Sequence, residues 1–405
     1  MIQNITNVRG IKCWGAHTGV KSMRRDLAIF VSEVPAKVSA TFTQNLVVAE
    51  PIKVSKKNLK EGKHLAKALV VNAGNANAVT GQQGREGAEA MVRAAAEELD
   101  VPENQILVAS TGIIGQEFPT EAIVDGIKEN MKKVTDNSRA GSFAANAILT
   151  TDTFPKEGFV EFEIDGKTIH IGGIAKGSGM IHPNMATMLS FAFTDVNISQ
   201  KLLDKAFKEA VDDSFNMITV DGDTSTNDMA SVMANGLAEN KLIEDEKDKN
   251  YALFRDKLKE LMIHLAKLIV SDGEGASKFI EYKVTDAKSE KEARQLIRVV
   301  SDSSLVKTAM FGRDPNWGRI LAAMGRAGVK FNPDKVDLYL GTGKNMVKLL
   351  DQGTPVEQEV YVMKRILKSA DINVHIKLNN GKEEAVGWGT DLTTDYVMFN
   401  SVYTT

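Results

Sequence analysis

A single cysteine, Cys13, stands among 405 residues. No internal disulfide can form, and such a chain fits the reducing cytosol. No stretch approaches the roughly 18 apolar residues of a membrane span. The N-terminus, MIQNITNVRGIKCWGAH, lacks a basic start followed by an apolar run, so it does not read as a signal peptide. The net charge of -3 points to neither nucleic acid nor an anionic membrane as the main partner. The six histidines show no triad-like context. There is no internal repeat and no low-complexity segment.

What remains is an ordinary enzyme-like composition, 43% hydrophobic and 25% charged. The length exceeds one ordinary core, so two or three lobes are expected. Short apolar runs alternate with amphipathic stretches, which predicts a mixed α/β protein. AKALVVN (66–72) reads as a strand, followed by the small-residue loop AGNANAVTG and a helix from about Gln82 to Leu99. Ile106 to Ala109 is a second apolar run, ending in STGIIG, and residues 120–133 look helical. FVEFEIDGKTIHIGG alternates on both sides of Asp165-Gly166, a strong hairpin signal. TMLSFAFTDV reads as a strand from Thr187, and 198–213 as a helix. From Tyr251 to Ser271, apolar residues recur every three or four positions, the stripe of a half-buried helix. Lys335 to Leu340 and Ile372 to Leu378 read as strands of a smaller C-terminal lobe.

The window GGIAKGSGMIHPNMATMLSFAFTDV (172–196) carries the most information. Gly177 and Gly179 loosen the backbone, Pro183 stiffens it and Asn184 tolerates a tight turn. Thr187 follows where loop becomes strand. Taken locally it has two readings. One is a β-branched residue opening a strand. The other is a nucleophile freed by backbone cleavage, whose new α-amine, with a pKa near ~8, serves as its own base.

KGSGMIHPNMATML closely resembles the cleavage-site signature of the ornithine acetyltransferase family, the bifunctional glutamate N-acetyltransferases of arginine biosynthesis. VNAGNANAVTG (71–81), STGIIG (110–115), TTDTFPK (150–156), VDGDTSTND (220–228), SDGEGASKF (271–279), FGRDPNWGRI (311–320) and FNSVYTT (399–405) also resemble family blocks, in family order. The resemblance implies a layered α/β sandwich of sheets and helices. In outline it is similar to the N-terminal nucleophile hydrolases, with different connectivity. It implies a self-cut between Ala186 and Thr187 into chains 1–186 and 187–405, assembled two plus two as a heterotetramer. It implies acetyl transfer from N-acetylornithine to glutamate through an ester on Thr187, with Thr111 and Gly112 holding the oxyanion. Substrate contacts carried over are Thr150, Lys176, Thr187, Glu274, Asn400 and Thr405. Thr151 and Thr153 compete with Thr150. No cofactor or metal is expected, and no CoA-specific motif decides whether acetyl-CoA also donates. The rival reading is a related self-processing aminopeptidase or amidase, with water as acceptor.

Other signals are weaker. Asp221, Asp223 and Asp228 cluster without calcium-loop spacing and read as a hydrogen-bonded turn. GTGK (341–344) lacks the spacer of a phosphate loop, and KGSG (176–179) is too short for a nucleotide fingerprint. His182, five residues before Thr187, is as well explained by shaping the loop as by acting as a base.

Overall fold

A computed structural model describes residues 3–182 and 188–402. Its strands in chain order are β1 (Ile11–Ala16), β2 (Leu27–Phe42), β3 (Leu65–Asn75), β4 (Ile106–Ile113), β5 (Lys156–Ile164), β6 (Lys167–Lys176), β7 (Leu189–Thr194), β8 (Ile218–Thr219), β9 (Met229–Ala234), β10 (Phe279–Ala287), β11 (Asp337–Thr342), β12 (Asn345–Asp351), β13 (Thr354–Pro355), β14 (Asp371–Lys377) and β15 (Glu383–Thr390). They form two mixed sheets. The first runs β4-β3-β2-β9-β7-β6-β5, with β1 added beside β2; the second runs β13-β12-β11-β14-β10-β15-β8.

The β5–β6 hairpin forms where the sequence predicts it. Asp165 and Gly166 take φ of +50° and +74°, the paired left-handed residues that match a two-residue turn to the twist of its strands. The helix Lys249–Ser271 follows its apolar stripe: Phe254, Leu258, Leu261, Leu265 and Ile269 are buried. Burying each such side chain stabilises the fold by roughly 1.5–3 kcal/mol. This helix packs on β5 and β6 of the first sheet and on β8 and β15 of the second. One core therefore joins Ile171, Ala192 and Val232 to Ile280, Val284 and Val374 across the helical layer. Helix Glu290–Ser301 covers β10 and β15. The architecture is a layered α/β sandwich.

Three local expectations gain detail. The segments 335–340 and 372–378 overlap β11 and β14, which pair with each other inside the second sheet and share the common core. GTGK sits at the β11–β12 hairpin, with Gly343 at φ +56°. STGIIG begins inside the strand: Ser110 to Ile113 continue β4, and Asn75 and Gly74 of β3 pair beside Thr111 and Gly112. The first sheet also crosses residue 187, because β6 and β7 pair antiparallel, Lys176 opposite Leu189.

Candidate active site

The ends of β3, β4 and β6 bring three sequence-predicted residues together. Thr111 and Gly112 close β4, and Lys176 closes β6. Gly112 holds φ +136°, and a Cβ there would lie 2.3 Å from the carbonyl carbon of Gly74. Only glycine fits both the conformation and the space. Asn227 secures this corner: its amide donates to Ala76 O at 2.6 Å and Ser110 O at 2.8 Å.

Lys176 is buried, and its ammonium donates to Thr150 Oγ1 at 2.8 Å and, more distantly, to Thr111 Oγ1 at 3.4 Å. Burial lowers its pKa, against the pull of Asp152. Asp152 is wholly enclosed. Oδ1 accepts from Lys156 Nζ at 2.6 Å and Gly177 N at 2.7 Å; Oδ2 accepts from Thr150 N at 3.1 Å and lies 3.8 Å from Lys176 Nζ. Burial alone would raise this carboxyl, but Lys176 and Lys156 outweigh it and hold its pKa at about 2. Lys156 also donates to Asp272 Oδ2 at 2.6 Å. Two buried cations thus face two buried anions.

A cavity of about 230 Å³ opens beside this network. Thr111, Gly112, Thr150, Lys176, Glu274 and Asn400 all line it. Glu274 follows the long helix and accepts from Asn400 Nδ2 of the C-terminal helix Thr394–Val402 at 3.2 Å. Gly179 makes room for it: a Cβ there would stand 2.3 Å from a Glu274 carboxylate oxygen. Of the three competing threonines, Thr150 and Thr151 line the cavity, whereas the Thr153 backbone donates to Asp272 at 2.9 Å. Ala186, Thr187 and Thr405 lie outside the described residues. Met188, bonded to Thr187 by one peptide, lines a small adjoining void together with Thr111, Lys176 and Asp228. Its N–H donates to Asp228 Oδ1 at 2.9 Å. Asp228 is wholly buried, which lifts its pKa well above the carboxylate range.

A profile of the ArgJ family matches residues 12–405. The chain belongs to the ArgJ family. It is 46% identical to the "Arginine biosynthesis bifunctional protein ArgJ" of Caldanaerobacter subterraneus subsp. tengcongensis, over 98% of this chain and 97% of the relative. The protein of the same description from Thermotoga neapolitana is 44% identical, over 98% and 99%. A solved ArgJ chain from Bacillus halodurans is 41% identical, covering 45% of this chain and 95% of that one, with a TM-score of 0.44. The ArgJ family assignment makes the chain an enzyme, as the sequence resemblance implied.

Sequence reading missed several residues of this ArgJ cavity: Asp221, Ser225, Thr226, Asn227 and Tyr396 also line it. Asp221 was legible only as part of an acidic cluster. Its carboxylate accepts from Met180 N at 2.6 Å and Ile181 N at 2.9 Å, on the approach to the expected cut. Among the described residues, no group of three or more His, Cys, Asp or Glu is arranged to hold a metal ion. His182 Nδ1 lies 3.9 Å from Asp302 Oδ2. Among the described residues, no helix is long and apolar enough to cross a membrane.

Proposed function

We propose that this chain is a self-processing acetyltransferase of arginine biosynthesis, working in the cytoplasm, that moves an acetyl group from N2-acetylornithine to glutamate. One observation carries the reading: the residue that follows Thr187 shares a void with Thr111 and Lys176, which also line the cavity. A nucleophile at 187 is therefore the chain neighbour of a residue on a wall that already carries the Thr111 hydroxyl.

In maturation, the Thr187 hydroxyl attacks the Ala186 carbonyl, the peptide shifts from nitrogen to oxygen, and water hydrolyses the ester. The products are chains 1–186 and 187–405, two of each per assembly. The shared β6–β7 pairing gives them reason to stay together. In turnover, the new α-amine takes the Thr187 hydroxyl proton as the oxygen attacks the acetyl carbon. The Thr111 hydroxyl and Gly112 N–H face the oxyanion. Collapse expels the ornithine α-nitrogen, which takes the proton back, and leaves an acetyl ester on Thr187. The glutamate α-amine then attacks that ester in the reverse sequence. No cofactor is needed for either half. Lys176 suits a substrate carboxylate and Glu274 the δ-ammonium of ornithine; Thr150, Asn400 and Thr405 complete the contacts.

The test is incubation with N-acetylornithine and glutamate, assaying acetylglutamate against free acetate. Acetylglutamate is expected. Predominant acetate would make the chain an amidase. Thiol release from acetyl-CoA with glutamate reads whether the CoA ester is a second donor.

A further inference from the structure

An ammonium group donates hydrogen bonds and accepts none. Lys176 Nζ stands 2.8 Å from Thr150 Oγ1 and 3.4 Å from Thr111 Oγ1. Both hydroxyl oxygens are therefore acceptors toward the lysine, and each threonine keeps its single proton for another acceptor. Among the described residues, neither hydroxyl donates to a protein group. Both line the cavity. The protons are thus left for whatever oxygen occupies it.

We infer that Lys176 is a positioning residue for acyl transfer: its ammonium turns the hydroxyl protons of Thr111 and Thr150 into the cavity, and Asp152 holds that ammonium in place. The inference rests on reading Thr111 as an oxyanion donor. It gives Lys176 a role distinct from binding a substrate carboxylate. A neutral amine carries a lone pair, so a deprotonated Lys176 could accept from either threonine and draw its proton away from the cavity. Charge on Lys176 is then a condition for donor direction.

Burial works against that charge, lowering the Lys176 pKa. Asp152 and Glu274 favour it, as does Asp228 in its ionised form, whereas Lys156 and Lys21 oppose it. Asp272 offsets Lys156 through their contact at 2.6 Å. Asp152 is the group best placed to decide the balance. It touches the Thr150 and Gly177 backbone N–H groups as well as facing Lys176, so it also sets where the lysine and threonine meet.

The experiment is steady-state and single-turnover kinetics of cut protein, per mole of new chain ends, against pH. Lys176→Met is expected to lower kcat by ~10²-fold, as loss of an oxyanion donor does, with KM for N-acetylornithine changed less. A raised KM with wild-type kcat would mean that Lys176 only binds substrate, and would overturn the inference. As pH rises, Lys176 loses its proton and turnover falls. Asp152→Asn removes an anion that favours the charged form, so this alkaline limb should move to lower pH. Lys176→Arg, which stays charged throughout, should abolish the limb and serves where Asp152→Asn does not fold. An alkaline limb that neither variant moves also sinks the proposal. Thr111→Val separates the two layers. Wild-type turnover in that variant removes the oxyanion reading itself. A slow Thr111→Val beside a Lys176→Met of wild-type kcat removes only the positioning role of Lys176.

Discussion

The Tyr396 hydroxyl donates to Asp221 Oδ2 at 3.2 Å, which ties the C-terminal helix to the carboxylate capping Met180 and Ile181. Burial, then Asp221 itself, raises the Tyr396 pKa, so the phenol keeps its proton and remains a donor across the working range. Tyr396→Phe leaves Asp221 its backbone donors and should fold and cut normally. The helix that carries Asn400 loses one anchor worth about 1 kcal/mol. KM for N-acetylornithine is expected to rise about fivefold. An unchanged KM would show that Asn400 needs no such anchor.

Thr187→Ala removes both the attacking oxygen of maturation and the proposed nucleophile. The purified variant should give a single intact mass and no acetyl transfer, where the parent protein is expected to give fragments breaking after Ala186. A full-length Thr187→Ala protein with normal activity would refute the mechanism.

Thr111→Val keeps shape at the end of β4 and deletes the hydroxyl. Loss of one oxyanion donor should cost about 3 kcal/mol of barrier, or ~10²-fold in kcat, with KM nearly kept. Pre-steady-state release of ornithine is the measurement, and an unaltered rate removes Thr111 from the reacting centre.

Gly112→Ala should fail for a different reason. The added Cβ meets the Gly74 backbone at 2.3 Å, and φ +136° is hostile to any L side chain. The β3–β4 corner must shift, displacing Thr111 with it. Reduced thermal stability together with lost turnover is expected. Full activity would mean that this corner is softer than its packing implies.

Asp152 has a folded pKa of about 2 against an ordinary 3.8. A lowered carboxyl contributes stability that is present above the ordinary value and lost as pH falls through the folded one. The contribution is on the order of 2 kcal/mol. Urea unfolding of the parent protein and Asp152→Asn at pH 5 and near pH 2 should show a gap that narrows on acidification. A constant gap would remove the ionic part of the Asp152 contribution.

Much of the local structure was legible because its causes are local. Asp165-Gly166 dictates its hairpin through backbone conformation, and the stripe from Phe254 to Ile269 dictates a helix with one buried face. Thr111, Gly112, Thr150, Lys176, Glu274 and Asn400 were named from motif blocks, and all of them line one cavity. Asp152 lies inside one of those blocks, yet nothing in TTDTFPK distinguishes a buried carboxylate from a turn residue. Its partners, Lys156, Lys176 and Gly177, arrive from β5 and the end of β6.

By itself the sequence determined the β5–β6 hairpin, several of the strands and helices, the family and the expected point of cleavage, because periodicity, turn chemistry and motif spacing are written along the chain. Only the tertiary structure decided which charges face one another. Pairing β6 with β7 and β3 with β4 sets Lys176 beside Thr111 and Thr150, and packing the long helix brings Asp272 to Lys156. Electrostatics in a buried network depends on distances across segments far apart in sequence, and those exist only once the sheets have closed over the core.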